Sequence, residues 1–249
     1  MASDLKEAGG RTRLFVGASL EPGGAVTLDE GQSHYLLHVL RAKAGDRVLL
    51  FNGRDGEWQA EITATFKRGV TVVLRAHTAQ QTEVPDVWLL FAPVKKTPSD
   101  YLAQKATELG ARKLQPVFTR RTIVTRINQE RLKVNAVEAA EQSARLTVPE
   151  IGEALALGKL LDAWPRERRI FFCDEGGDAK PLAQVVREAG EGPCAILTGP
   201  EGGFDPEERE NLRRHPFVTP VTLGPRILRA DTAALAALAI WQSAKGDFA

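Results

Sequence analysis

At Gln80-Gln-Thr-Glu-Val-Pro85 the chain changes from one hydrophobic period to another, and no single-layer fold accommodates both halves. Before this segment lie short runs of strand-like residues: Arg13-Leu-Phe-Val16, Arg47-Val-Leu-Leu-Phe51, Glu57-Trp-Gln-Ala-Glu-Ile62 and Gly69-Val-Thr-Val-Val-Leu74. Turn formers separate them at Pro22-Gly-Gly24, Ala44-Gly-Asp46, Asn52-Gly53 and Asp55-Gly56, a spacing that predicts a small β-barrel or sandwich. One stretch, Ser33 to Arg41, carries helical apolar spacing, with Ser33 placed to cap its start. Beyond Pro85 strand and helix patterns alternate. Strands are expected at Val87–Ala92, Lys113–Phe118, Arg169–Cys173, Cys194–Leu197 and Pro220–Leu223. Helices are expected at Pro98–Leu109 (ended by Gly110), Asn128–Arg145 and Ala230–Ala244. Such alternation predicts a mainly parallel sheet with helices on its faces, so the chain reads as a β domain followed by an α/β domain. Met1–Gly10 reads as a frayed tail.

A chain of 249 residues with 43% apolar and 26% charged residues can bury a substantial core. No apolar run is long enough to cross a bilayer, and the first residues lack a signal-peptide core, so a cytoplasmic location is expected. Cys173 and Cys194, each inside an apolar run, are expected to be buried free thiols rather than a disulfide or half a zinc site. The net charge of +1 hides an asymmetry: Pro93–Thr147 holds eleven Lys and Arg against five Asp and Glu, whereas Val148–His215 holds nine against fourteen. A basic face for a polyanion produces such a pattern, and so do solvated helix faces.

The chain has no Walker-type loop, no G-x-G-x-x-G after a strand, no G-x-S-x-G elbow and no H-E-x-x-H. Its four histidines, His34, His38, His77 and His215, lack the neighbours of a metal site, and no metal is expected. What remains is Leu197-Thr-Gly-Pro-Glu-Gly-Gly203, followed by Asp205-Pro-Glu-Glu208 as a helix start. Its glycines allow close backbone approach to a ligand; a plain strand-to-helix turn is the alternative. The second loop, Leu223-Gly-Pro-Arg-Ile-Leu-Arg229, offers Ile227 and Leu228 to a flat base and Arg226 and Arg229 to a phosphate or carbonyl. The arginines can instead be surface charges or partners of Glu201 and Asp231. Both loops open from the carboxyl ends of expected strands, where α/β sheets bind ligands.

Gly199-Pro-Glu-Gly-Gly203 with Leu223-Gly-x-Arg-Ile-Leu-Arg-x-Asp-Thr-Ala233 resembles the RsmE family of small-subunit ribosomal RNA methyltransferases, in the SPOUT superfamily. His34 with Val39-Leu-Arg41, Lys105-Ala-Thr-Glu-Leu-Gly110, and Glu141-Gln-Ser-x-Arg145 with Pro149 match in the same order, so the likeness spans essentially the whole chain. It departs at Asp231, where the family usually has Glu. The resemblance implies a PUA-like β-barrel over residues 11–79 that grips RNA. It implies a SPOUT α/β domain over 85–249, with a trefoil knot and cofactor site near 195–233, working as a homodimer. The implied reaction is methyl transfer from S-adenosyl-L-methionine to ring nitrogen three of one uridine in 16S ribosomal RNA.

On that reading, Leu197, Thr198, Gly199, Pro200, Glu201, Gly202, Leu223, Gly224, Ile227, Leu228 and Thr232 hold the cofactor. Arg229 stabilises the uracil anion, and Asp231 takes its proton or orients Arg229, with Glu201 the alternative base. His34, Arg41, Lys95, Lys96, Arg120, Arg121 and Arg126 are the expected RNA contacts, through phosphates for the basic segment. Lys105 and Glu108 are spaced to pair with each other, and a buried, satisfied His34 is the alternative for that residue. Competing functions are methylation of a ribose 2′-hydroxyl or of tRNA, a non-catalytic ribosome-assembly factor, and a small-molecule α/β enzyme.

Overall fold

Contacts within the chain divide it into two units, one holding the described residues up to Glu83 with Ala140–Val148, the other Val84–Ala139 and the described residues from Pro149 on. The structure is a computed structural model that describes residues 12–67, 69–94, 96–176 and 178–248, and of residues 96–98 the backbone alone. Met1–Gly10 and Lys95 therefore lie outside the described residues, as does the side chain of Lys96.

In the first unit β1 (Arg13–Phe15), β2 (Ala25–Thr27), β3 (Arg47–Phe51), β4 (Glu57–Phe66) and β5 (Gly69–Ala79) form one sheet in the order β1-β3-β4-β5-β2. Period-two alternation places Val48, Leu50, Ala60, Ile62, Val70, Val72 and Leu74 in its core, all at 0–1% exposure. Each of the Val, Leu and Ile side chains contributes about 1.5–3 kcal/mol by leaving water. β4 and β5 run on past the expected Ile62 and Leu74, because the ladder continues where both faces are wet and no apolar alternation marks it. The sheet is open: among the described residues its end strands β1 and β2 do not pair.

The helix of this unit corrects the expectation. α1 (Glu30–His34) starts earlier, and its cap is Asp29, whose carboxylate accepts the Gln32 N–H at 2.7 Å. Ser33 is buried inside the helix; its hydroxyl donates to the Leu28 carbonyl and accepts the Val70 N–H, tying α1 to β5. A wider, π-type turn over Tyr35–Val39 continues α1, and Arg41 leaves it in the left-handed region at φ 56°.

In the second unit β6 (Val87–Phe91), α2 (Lys96–Glu108), β7 (Lys113–Phe118) and α3 (Gln129–Gln142) come first, the last turn of α3 counting with the first unit. Then follow β8 (Glu150–Ile151), β9 (Leu155–Ala156), α4 (Leu157–Asp162), β10 (Arg169–Cys173), β11 (Lys180–Pro181) and α5 (Leu182–Glu188). The chain ends with β12 (Cys194–Thr198), α6 (Pro206–Arg214), β13 (Val218–Thr222) and α7 (Ala230–Lys245). The sheet order is β11-β13-β10-β12-β6-β7-β8, with β9 also on β7, and every pairing is parallel. β12 is buried along its whole length, as a strand covered on both faces must be. Leu102, Ala106, Leu182, Val186, Leu238 and Trp241 pack in one core, and Leu160, Leu161, Trp164, Phe172, Phe204 and Leu212 in the other.

α3 stops at Gln142 rather than Arg145, since Ala144 turns left-handed at φ 59°. β8, β9, β11, α4 and α5 were not expected; runs of two to seven residues are too short to show a period. At α6 the sequence signal holds: Asp205 caps it by accepting the Glu207 N–H at 3.0 Å, with Pro206 as the first helical residue.

Candidate functional site

Three adjacent strands, β13, β10 and β12, end at one pocket. Its walls are Thr198–Pro200 with Gly203 and Phe204, Thr222–Leu228, Cys173–Glu175, and Ala230 and Ala233 of α7. Phe204 anchors the first loop, packing edge-on against Phe172 with ring centroids 4.8 Å apart. A Cβ on Gly199 would stand 2.6 Å from that Phe204 ring, so only glycine fits. Gly203 has φ 66°, and a Cβ there would run into the Glu175 carboxylate. In the second loop Thr222 Oγ1 accepts the Gly224 N–H at 3.2 Å.

The turn after β10 is held from one side. Asp174 is 3% exposed, and its carboxylate accepts Arg209 Nε–H at 2.6 Å and Arg213 Nε–H at 2.7 Å. It also accepts the Gly176 N–H at 3.1 Å, while Arg213 reaches on to Asp178. The Arg213 hydrogen bond is the main reason the Asp178 carboxyl lies below its ordinary value. Both arginines come from α6, so that helix braces the pocket floor. Burial pushes the Cys173 thiol up to about 12, leaving it protonated at neutral pH and unfit as a nucleophile. Cys194, also free, is likewise pushed up to about 12, first by burial.

Of the residues expected to hold a cofactor, Thr198, Gly199, Pro200, Leu223, Gly224, Ile227 and Leu228 line this pocket. Ile227 is 90% exposed, an apolar side chain open to a ligand or a partner. Leu197 is fully buried in the sheet, where its side chain packs in the core. Glu201, Gly202 and Thr232 are exposed and outside the lining. Arg229 is exposed at the N-cap of α7, between the lining residues Leu228 and Ala230. Asp231, in the first turn of α7, accepts the Thr232 N–H at 2.8 Å. Among the described residues neither Arg226 nor Arg229 has an ion-pair partner, so the pairing with Glu201 or Asp231 is not formed. Cys173, Asp174, Glu175, Phe204 and Pro225 were missed. The strand ending at Cys173 was legible, but its place between β12 and β13 was not.

Of the expected RNA contacts, His34 is exposed rather than buried, its ring centroid 4.8 Å from that of His38, and Arg41 is exposed. Arg120 pairs with Asp205 at 2.9 Å and Glu207 at 2.5 Å, and its N–H donates to Glu208. Burial raises the Asp205 carboxyl, but the Glu207 N–H and the Arg120 guanidinium outweigh it and hold the group low. Arg121 donates to the Gly202 carbonyl at 2.9 Å, tethering the first glycine loop. Arg126 is exposed and unpaired among the described residues. Lys105 pairs with Glu108 at 2.7 Å, as its spacing suggests. Among the described residues no group of three or more His, Cys, Asp or Glu is placed to hold a metal.

The family model described as an RNA methyltransferase domain matches residues 80–242, and an RNA methyltransferase PUA domain matches residues 28–75. The protein named ribosomal RNA small subunit methyltransferase E from Rickettsia conorii is 31% identical over 228 residues, covering 91% of this chain and 93% of its own. Its namesake from Synechocystis is 33% identical over 233 residues, covering 91% and 76%. The crystal structure of the Neisseria gonorrhoeae ribosomal RNA small subunit methyltransferase E bound to S-adenosyl methionine superposes with a TM-score of 0.87. That superposition has 29% identity and covers 96% of this chain and 99% of the other.

Proposed function

Because the chain belongs to the ribosomal RNA small subunit methyltransferase E family, we propose that it transfers a methyl group from S-adenosylmethionine to ring nitrogen three of one uridine in 16S ribosomal RNA. The observation that carries this reading is the single pocket into which both glycine loops open at the ends of β12 and β13, with Arg229 on its margin. The lining fits a nucleoside-bearing cofactor. Apolar Leu223, Ile227 and Leu228 offer a surface for a flat base, and Gly199 and Gly203 bring backbone within reach of polar groups. When bound, S-adenosylmethionine supplies a methyl group activated by the sulfonium.

The chain's own residues do the rest. The loops over Leu197–Gly202 and Leu223–Leu228, with Thr232, hold the cofactor and exclude water, and alignment is the larger share of the rate gain. Arg229, a cation with no ion-pair partner among the described residues, stabilises the charge that develops on the uracil oxygens. The Asp231 carboxylate accepts the proton that leaves uridine N3. His34, Arg41, Lys95, Lys96, Arg120, Arg121 and Arg126 carry the RNA, with salt-dependent affinity. In the same reading, residues 11–79 form the PUA-like RNA-binding domain and 85–249 the SPOUT domain. The chain near 195–233 is threaded as a trefoil knot, and two copies pair to complete the site. The family motifs in both loops support these points. Among the described residues no helix is long and apolar enough to cross a membrane, and we place the reaction in the cytoplasm with the ribosome.

Transfer of labelled methyl from S-adenosylmethionine to small ribosomal subunits lacking the modification tests this, with free rRNA and tRNA in parallel. Label recovered as N3-methyluridine from subunits is expected. Label on a ribose or in tRNA would sink the substrate assignment, and no transfer with the cofactor bound would sink the enzyme reading.

A further inference from the structure

β10 lies between β12 and β13, so the turn after it opens midway between the two glycine loops. A ligand lying across both loops presents its central part to that turn. The charged side chains lining the pocket are Asp174, Glu175 and Arg226. Asp174 is committed to Arg209 and Arg213. Glu175 is exposed and makes no hydrogen bond or ion pair among the described residues. Its carboxylate lies against Gly203, in the space a Cβ there would take, which puts it beside the first glycine loop. The start of the turn that presents it is tied down. Asp174 is fixed by two guanidiniums, the Gly176 N–H is bonded back to Asp174, and the Arg209 guanidinium fills the space a Cβ on Gly176 would need.

An unpaired carboxylate at mid-pocket has two acceptor oxygens and no donor. In a nucleoside joined to an amino acid, the central part is the ribose, whose neighbouring hydroxyls are two donors on one side of the ring. We infer that Glu175 is the ribose-binding residue of this pocket, accepting hydrogen bonds from the 2′- and 3′-hydroxyls of the cofactor. Asp174, Arg209 and Arg213 act through it as positioning residues. This rests on the S-adenosylmethionine reading given above. The base then falls on the Ile227–Leu228 side and the amino-acid part toward Thr198–Pro200.

Calorimetric titration of S-adenosylmethionine, S-adenosylhomocysteine and the 2′-deoxy analogue of the latter into the wild type, Glu175→Gln and Glu175→Asp tests the inference. Hydrogen bonds to a charged acceptor predict that Glu175→Gln weakens S-adenosylhomocysteine about tenfold to a hundredfold. The 2′-deoxy analogue should lose only about threefold to tenfold, because it keeps one of the two donors. Glu175→Asp should fall between. The exposed position predicts unchanged melting temperatures, which separates binding from folding. Equal losses for both ligands, no loss for either, or a loss confined to S-adenosylmethionine would overturn the assignment; the last places Glu175 at the sulfonium. Wild-type binding with an indifferent Glu175→Gln leaves the cofactor reading standing and removes only the ribose contact. A wild type that binds none of these ligands overturns both.

Discussion

Replacing Asp174 with Ala should cost the protein about 3 kcal/mol, more than most single substitutions. The Asp174 side chain is 1% exposed and holds two guanidiniums at 2.6 Å. Hydrogen bonds to charged groups contribute about 1.5–3 kcal/mol each, so two set a range of about 3–6 kcal/mol. Arg209 and Arg213 are 34% and 25% exposed and can rehydrate when their partner is gone, which favours the lower end. For a unit of this size about 3 kcal/mol corresponds to a fall of about 6–12 °C in melting temperature. Asp174→Asn keeps an oxygen for the Gly176 N–H and loses the charge, so about half that fall is expected. Thermal unfolding followed by tryptophan fluorescence, in one buffer for all variants, measures both. The Asp174→Ala, Arg213→Ala double-mutant cycle should show coupling of at least about 1 kcal/mol. A fall below about 2 °C for Asp174→Ala, or no coupling, would mean that the α6 brace is a surface ion pair of little consequence.

Arg229→Ala should lower turnover by at least about a hundredfold and leave S-adenosylhomocysteine affinity unchanged; single-turnover kinetics beside calorimetry checks this, and retained turnover removes Arg229 from the mechanism. Asp178 has its carboxyl held below its ordinary value of 3.8, first by Arg213. Its contribution to stability is complete above that value and is lost as pH falls through the lower folded value. Melting temperature followed from pH 6 to pH 2 should therefore drop less steeply below about pH 4 in Asp178→Asn than in the wild type. Ala144→Gly, at φ 59°, should stabilise by about 0.5–1 kcal/mol, seen as a higher urea midpoint with an unchanged slope.

Local chemistry decided much of this molecule. The apolar runs read as strands at Val87–Ala92, Arg169–Cys173 and Cys194–Leu197 are strands to within one residue, and Asp205-Pro206 opens α6, because burial period, capping oxygens and proline geometry act within a few residues. The two glycine loops were legible for the same reason. Local chemistry also has limits: Ser33 looks like a cap, yet it is buried against β5, and the cap is Asp29. A window that cannot see Val70 cannot choose between them. Neither could it see that Arg120 turns to Asp205 and Glu207, residues more than eighty positions away.

The sequence by itself determined the longer strands and helices and the motifs Gly199–Gly203 and Leu223–Ala233. Only the tertiary structure decided that β10 lies between β12 and β13, that Asp174 meets Arg209 and Arg213, and that Glu175 meets Gly203. The reason is physical. A strand's existence follows from its own side chains, whereas its neighbours follow from which pairings let all the helices bury their apolar faces at once.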